Sequence, residues 1–267
     1  MHVFIHGGAG RFGRSADAAY LAETFVDAGA YFIDLDFQNV IKADGNLVDH
    51  GRPGAPRCRL GPWPCCHVRW RSQSTVPVGR ASGAHLASVV LTTDWRQAFG
   101  LPADTVRAGL CCGGLYDLQP VSLSACSSYV AFSTQTIEAL SAMRHLDKLT
   151  APMVVAYGTL ETPEFQRQSR EFAAALKAAG KAVTLIVGEG YNHFEMHETQ
   201  GNPYGLLGRP RGGRWDWGST SESAPPSGAA SSGRGATTTP PAPSPRSLHK
   251  ALNSAQISCS IRRRRYL

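Results

Sequence analysis

Cleavage of an ester or amide needs a nucleophile, a base to take its proton, an acid to orient that base, and donors for the developing oxyanion. Four short stretches of this 267-residue chain hold residue types of that kind: His6-Gly7-Gly8, Gly79-Arg80-Ala81-Ser82-Gly83, Glu161-Thr162-Pro163 and Tyr191-Asn192-His193. The second has the frame of the G-x-S-x-G turn, in which a nucleophile sits on a sharp strand-to-helix bend. Its middle residue is Ala81, which carries no hydroxyl. Ser82 is next door, but such a bend raises one side chain toward the site and turns its neighbour away, so Ser82 is a poor substitute nucleophile. The bland readings stand beside these. A lone histidine in a loop is most often a surface or capping residue, and Glu161 could simply cap a helix opening at Pro163.

Each stretch follows an apolar run that reads as a buried strand. Strands are predicted at 2–6, 31–37, 75–78, 108–112, 153–157 and 183–187. Helical spacing predicts helices from Ser15 to about Ala28 and from Ser82 to about Thr93. A third opens at Pro163 in its first turn and stops at Gly180. Strands alternating with helices predict an α/β domain over residues 1–208 with a doubly wound, mostly parallel sheet. Ligands of such sheets bind beyond the carboxyl ends of the strands, where all four stretches fall.

Two segments break the rhythm. Residues 50–78 hold five Arg and no acid and show no helical period, although a parallel crossover normally needs a helix there. Residues 209–267 are rich in Pro, Ser, Gly, Thr and Arg, with ten Lys/Arg against two acids, and read as a disordered basic tail. The remaining body holds 12 Lys/Arg against 18 Asp/Glu, so the net charge of +7 comes from the two anomalous segments. Their Arg, Pro, Gly, Cys and Ser content fits GC-rich codons read out of frame.

The four stretches together resemble the arylformamidase and small-esterase branch of the α/β-hydrolase superfamily. His6-Gly7-Gly8 resembles its H-G-G oxyanion loop, and Val78 to Ala87 resembles its nucleophile elbow, V-G-H-S-S-G-A-H-L-A. Glu161 to Phe165, with Gln168 and Ser169, resembles the acid-bearing segment, and Gly190 to Phe194 resembles the histidine loop. All four occur in family order over about residues 2–207. The resemblance implies His193 as general base, Glu161 as the acid that holds it, and the N–H groups of Gly7, Gly8 and Ser82 as the oxyanion hole. It implies a small aryl ester or formyl-amide substrate, an acyl-enzyme, and no cofactor or metal. The sequence departs from it in three places. Ala81 replaces the serine nucleophile, which impairs catalysis. The leading strands of the family are lacking before residue 2. The absent crossover helix is expected to leave one face of the sheet poorly covered.

Rival readings compete for the same residues. Gly8-Ala9-Gly10-Arg11-Phe12-Gly13 is a G-x-G-x-x-G run after a strand, with Asp34 or Asp36 about 20 residues on, as an NAD(P)-binding Rossmann reductase requires. No Tyr has a Lys four residues later, as short-chain reductases have. His193 and His197 are spaced to share a metal on a helix, but no third ligand is evident. Arg262 to Arg265 could contact nucleic acid, though without interleaved aromatics. A hydrolase without its nucleophile could also serve as a binding protein. The seven cysteines include no C-x-x-C pair, and Cys111 and Cys112, in an apolar run, read as buried thiols of a reducing compartment, with the cytoplasm the expected location. No leader precedes the first strand and no apolar stretch reaches the ~20 residues that span a bilayer, so no membrane association is expected. Nothing in the residues specifies an oligomeric state.

Overall fold

A computed structural model describes residues 1–47 and 75–208, together with the backbone of 259–262. Six strands lie parallel: β1 (His2–Ile5), β2 (Phe32–Leu35), β3 (Val76–Arg80), β4 (Gly109–Cys112), β5 (Met153–Gly158) and β6 (Val183–Gly188). All six expected strands are present, each within about two residues of its predicted bounds. A seventh, β7 (Cys259–Arg262), pairs antiparallel with β2. The sequence reading expected no strand there; the rest of the 209–267 segment and residues 48–74 lie outside the described residues. The sheet order is β6-β5-β4-β3-β1-β2-β7. Strand order reverses between β1 and β3, which makes the carboxyl ends of these two strands the switch point where a crevice opens.

β1 to β5 are short, mostly apolar runs buried on both faces, whereas the edge strand β6 leaves Leu185 and Val187 exposed. Alternate residues separate cleanly into two clusters. Val3, Ile5, Ile33, Leu35, Cys111, Met153 and Val155 pack under α2 (Ser82–Leu91), α3 (Trp95–Phe99) and α6 (Pro163–Ala178). Phe4, Phe32, Val78, Leu110, Cys112, Val154 and Ala156 face the segment after β1 and the C-terminal residues Met196 and Leu207. The second cluster is closed by Ala18, Leu21, Ala22 and Phe25 of the segment after β1; the crossover whose missing helix was expected to leave one face poorly covered falls at 48–74, outside the described residues.

That N-terminal segment is not one α-helix from Ser15 to Ala28. Its first part, Ser15–Leu21, is a 3-10 helix, and α1 (Ala22–Asp27) completes it. Short helices α4 (Leu118–Ser122) and α5 (Thr134–Leu140) build a satellite over the chain after β4. A last short helix, α7 (Glu195–Glu198), follows the loop after β6. α6 shows why a sequence of this kind stays helical. Pro163 occupies its first turn, Phe172, Ala173 and Leu176 face the sheet, and Arg167 pairs outward with Glu164 and Glu171.

Candidate active site

The turn between β3 and α2 is bent as tightly as backbone permits. A Cβ on Gly79 would stand 2.1 Å from the Gly83 carbonyl oxygen, and one on Gly83 would stand 2.0 Å from the Ile5 oxygen. Only glycine fits at either position, which explains the G-x-x-x-G frame. Between them Ala81 sits at φ 52°, ψ −117°, a conformation that glycine adopts freely and alanine does not. Its N–H donates to the Cys112 carbonyl at 3.0 Å, so the bend is pinned to the end of β4. Ser82 opens the helix with its hydroxyl oxygen buried and without a hydrogen-bond partner. The loop after β1 lies directly against the bend. The position a Gly7 Cβ would take is 3.2 Å from the Ala81 Cβ and 2.9 Å from Arg80 Nε.

Glu161 and His193 come together across 32 residues of sequence. His193 Nδ1 is 2.7 Å from Glu161 Oε2, and the other carboxylate oxygen accepts the Gly158 N–H at 2.9 Å. The Glu161 side chain is wholly buried, whereas that of His193 remains 22% exposed. An Nδ1–H donated to the carboxylate leaves the Nε2 lone pair free to act as a base. The two loops are tied together by backbone bonds from Thr159 to Gly188 and from Leu160 to Tyr191, and by the Gly190 N–H to Thr159 Oγ1 at 2.9 Å. The capping role considered for Glu161 is not what is found, because the residue at the N-terminus of α6 is Thr162 and the carboxylate is spent on Gly158 and His193.

The Asn192-His193-Phe194 sequence has a mechanical reason. Asn192 Oδ1 accepts the N–H groups of Phe194 and Glu195, while Glu195 Oε2 accepts the Asn192 N–H at 3.0 Å. This reciprocal cap fixes the turn that carries His193. The imidazole is flanked by Phe165 at 4.6 Å between ring centroids and meets Phe194 edge-on at 5.8 Å.

Two further residues support the pair, of which sequence reasoning missed Gly113. Gly113 follows β4 at φ 55°, and a Cβ there would stand 2.7 Å from Glu161 Oε2 and 2.9 Å from His193 Nδ1. Gln168, buried in α6, accepts the N–H groups of Tyr116 and Asp117 and donates to the Asp117 carbonyl, clamping the loop that begins at Gly113. The glycine pair after an apolar strand was the available signal for Gly113; Gln168 was placed in the acid-bearing segment by resemblance, without its clamping contacts.

Arg80 lies with its guanidinium 5.0 Å over the Phe194 ring. Burial holds its pKa below the ordinary value, opposed by Cys112, Tyr20 and Glu198. Below it, His197 accepts from the Tyr20 hydroxyl through Nε2 at 3.0 Å and donates through Nδ1 to the Phe194 carbonyl at 2.7 Å. Burial first, then the Arg80 charge, push the His197 pKa down to about 4.

Two rivals are corrected by these contacts. Both nitrogens of His197 are engaged, and no group of three or more metal-ligating side chains occurs among the described residues. The glycine run Gly8 to Gly13 folds back on itself, with Arg11 and Phe12 N–H groups on the Gly8 carbonyl. Asp36 accepts the N–H of Ser15 at 2.5 Å and its hydroxyl at 2.9 Å. A dinucleotide fold needs that helix start open for pyrophosphate and that acid free for a ribose. Here they bind each other, and the helix they begin is 3-10 for its first seven residues.

No family model matches the chain. Among curated proteins it is similar to kynurenine formamidase of Danio rerio, 26% identical over 201 residues that cover 73% of this chain and 66% of the relative. It is also similar to kynurenine formamidase of Salmo salar, 24% identical over 207 residues with the same coverage. The chain thus spans just under two thirds of the length of these relatives. Among solved structures it superimposes on Thermogutta terrifontis esterase 2 phosphoramylated by tabun, with a TM-score of 0.54, 22% identity and 72% of each chain covered. A proposed thioesterase from a Silicibacter species gives a TM-score of 0.56 at 17% identity, over 76% of this chain and 72% of the other. These structural likenesses carry the fold alone.

Proposed function

We propose that this chain, an α/β-hydrolase by fold and akin to arylformamidases and esterases, carries a serine-hydrolase site for small aryl esters or formyl amides that lacks its nucleophile oxygen. The observation that supports this most is the assembled Glu161–His193 pair at 2.7 Å beside a bend that still holds residue 81 in a strained conformation. With serine at position 81, the hydroxyl would give its proton to His193 Nε2 and attack the acyl carbon. Glu161 would stabilise the imidazolium, and the N–H groups of Gly7, Gly8 and Ser82 would receive the oxyanion. Expulsion of the amine or alcohol, protonated by His193, would leave an ester on residue 81 that water then cleaves. The formamidase relatives favour a formyl amide as substrate; the esterase neighbour is compatible with a simple ester. The catalytic unit in this reading is residues 1–208. No helix among the described residues is long and apolar enough to cross a membrane. Cys111, Cys112 and Cys126 are free thiols, which suits a reducing compartment such as the cytoplasm.

An organophosphate tests the reading directly, since it phosphorylates an activated serine and nothing on an alanine. After incubation with paraoxon, intact mass is expected to rise by one diethylphosphoryl group in Ala81→Ser and to stay unchanged in the native chain. An unmodified Ala81→Ser protein with native far-UV and thermal behaviour would overturn it.

A further inference from the structure

The base–acid pair is complete while its usual partner is missing, and the surroundings offer no other side-chain nucleophile among the described residues. The Ser82 hydroxyl oxygen is buried. Cys112, whose carbonyl holds the bend, is fully buried, and burial pushes its thiol pKa far above the ordinary value. Its neighbour Cys111 is in the same condition. The Tyr20 hydroxyl is committed to His197. His193, by contrast, is open to solvent through 22% of its side chain, is wedged between two aromatic rings, and points its Nδ1 at a buried carboxylate.

We propose that in the native chain water takes the place of the missing hydroxyl and His193 delivers it directly to the acyl carbon, so that hydrolysis proceeds by single displacement with no acyl-enzyme. This rests on the hydrolase reading of the site given above. The step balances without a further reactant. A water proton passes to His193 Nε2 as the water oxygen bonds to the acyl carbon, and the carbonyl electron pair moves onto oxygen. The pair returns, the bond from carbon to the leaving nitrogen or oxygen breaks, and the proton passes from the imidazolium to the leaving group. The products are a carboxylic acid and an amine or alcohol, with His193 restored.

The geometry also sets which acyl groups fit. A water oxygen touching the Ala81 methyl lies roughly 3.5 Å from it, well beyond the reach of a hydroxyl bonded to that carbon. The acyl carbon must stand back by a similar amount, and room for its substituent shrinks accordingly. Formyl compounds, with only hydrogen on that carbon, are the class the native site takes; acetyl and larger groups are rejected more strongly than by an Ala81→Ser site.

Triad members usually act as one unit, so that removing a second member after the serine costs little more. The proposal predicts the opposite here. Turnover of p-nitrophenyl formate and acetate is measured for the native chain, His193→Ala, His193→Gln and Ala81→Ser, with intact mass recorded during turnover. Expected are a native rate on the formate at least tenfold above both His193 variants, no acyl adduct on the native chain, and a formate-to-acetate ratio higher than in Ala81→Ser. Native and His193 variants that agree within twofold, or saturable binding without turnover, would overturn the proposal. If Ala81→Ser then still forms an acyl adduct, the hydrolase reading survives and only the water mechanism falls. If Ala81→Ser is also inert, the reading beneath it has failed.

Discussion

Ala81 donates its backbone N–H to the carbonyl of Cys112 at 3.0 Å, and the residue after Cys112 is the glycine on which Glu161 and His193 pack. One hydrogen bond therefore connects the bend that would carry a nucleophile to the floor beneath the base and its acid. The site is a single mechanical unit across the ends of β3, β4, β5 and β6.

The floor cannot tolerate a methyl group. In an Ala81→Ser background, Gly113→Ala places a Cβ within 2.7 Å of Glu161 Oε2 and demands φ 55° of a non-glycine residue. Displacement of the pair by even 1 Å costs about 10²-fold in rate. We expect kcat on formanilide to fall by at least that factor, with about 1–3 kcal/mol of stability lost to the strained backbone. Full activity in this double variant would mean that Gly113 does not support the pair.

Strain at the bend gives an independent test. Alanine at φ 52°, ψ −117° costs on the order of 1 kcal/mol that glycine would not incur. Ala81→Gly should therefore raise the urea midpoint, although glycine in most places lowers it. A lower midpoint would show that the bend is relaxed.

The acid partner is tested through charge alone. Glu161→Gln in the Ala81→Ser background keeps the shape but removes the carboxylate that fixes the imidazole tautomer and steadies the imidazolium. Loss of kcat by about 10³–10⁴ is expected, by analogy with the aspartate-to-asparagine change in a serine protease. A loss under tenfold would make Glu161 a structural residue.

Much of this arrangement was legible in the chain itself. The six parallel strands announced themselves because each is a short apolar run between turn residues, and Gly79 and Gly83 announced the bend because no other residue fits there. Ala81, Glu161 and His193 stood out by order and context. The short helices α3, α4 and α5 escaped notice, though Asp94, Asp117 and Ser133 each accept an N–H from their first turns. With five to seven residues, these helices show too little period to be recognised. Ser15–Leu21 has helical spacing in sequence but is a 3-10 helix, with its first residue held by the Asp36 carboxylate. Gly113 and Gln168 act through contacts made across the fold, which the glycine pair and the acid-bearing segment did not by themselves reveal.

Buried neutral histidines make the fold acid-sensitive. Burial lowers the pKa of His2, His85 and His197, the last to about 4, against 6.5 in the unfolded chain. Between those values the unfolded chain binds more protons than the folded one, so stability rises with pH. Their contribution is complete above about pH 6.5 and declines as pH falls toward 4. The urea midpoint should drop between pH 7.5 and pH 5. Arg80→Gln removes the second cause of the His197 shift and should raise its pKa, as read from its imidazole NMR resonances.

The central claim is that everything a serine hydrolase needs is present except one oxygen atom. Its most direct test is kcat/KM on formanilide for Ala81→Ser against the native chain, measured side by side on folded protein. Loss of the serine in such a triad costs on the order of 10⁶, so restoring it should raise kcat/KM by about 10³ or more, even in a site unused to it. A folded Ala81→Ser protein no faster than the native chain on formanilide and on short nitrophenyl esters would contradict the claim.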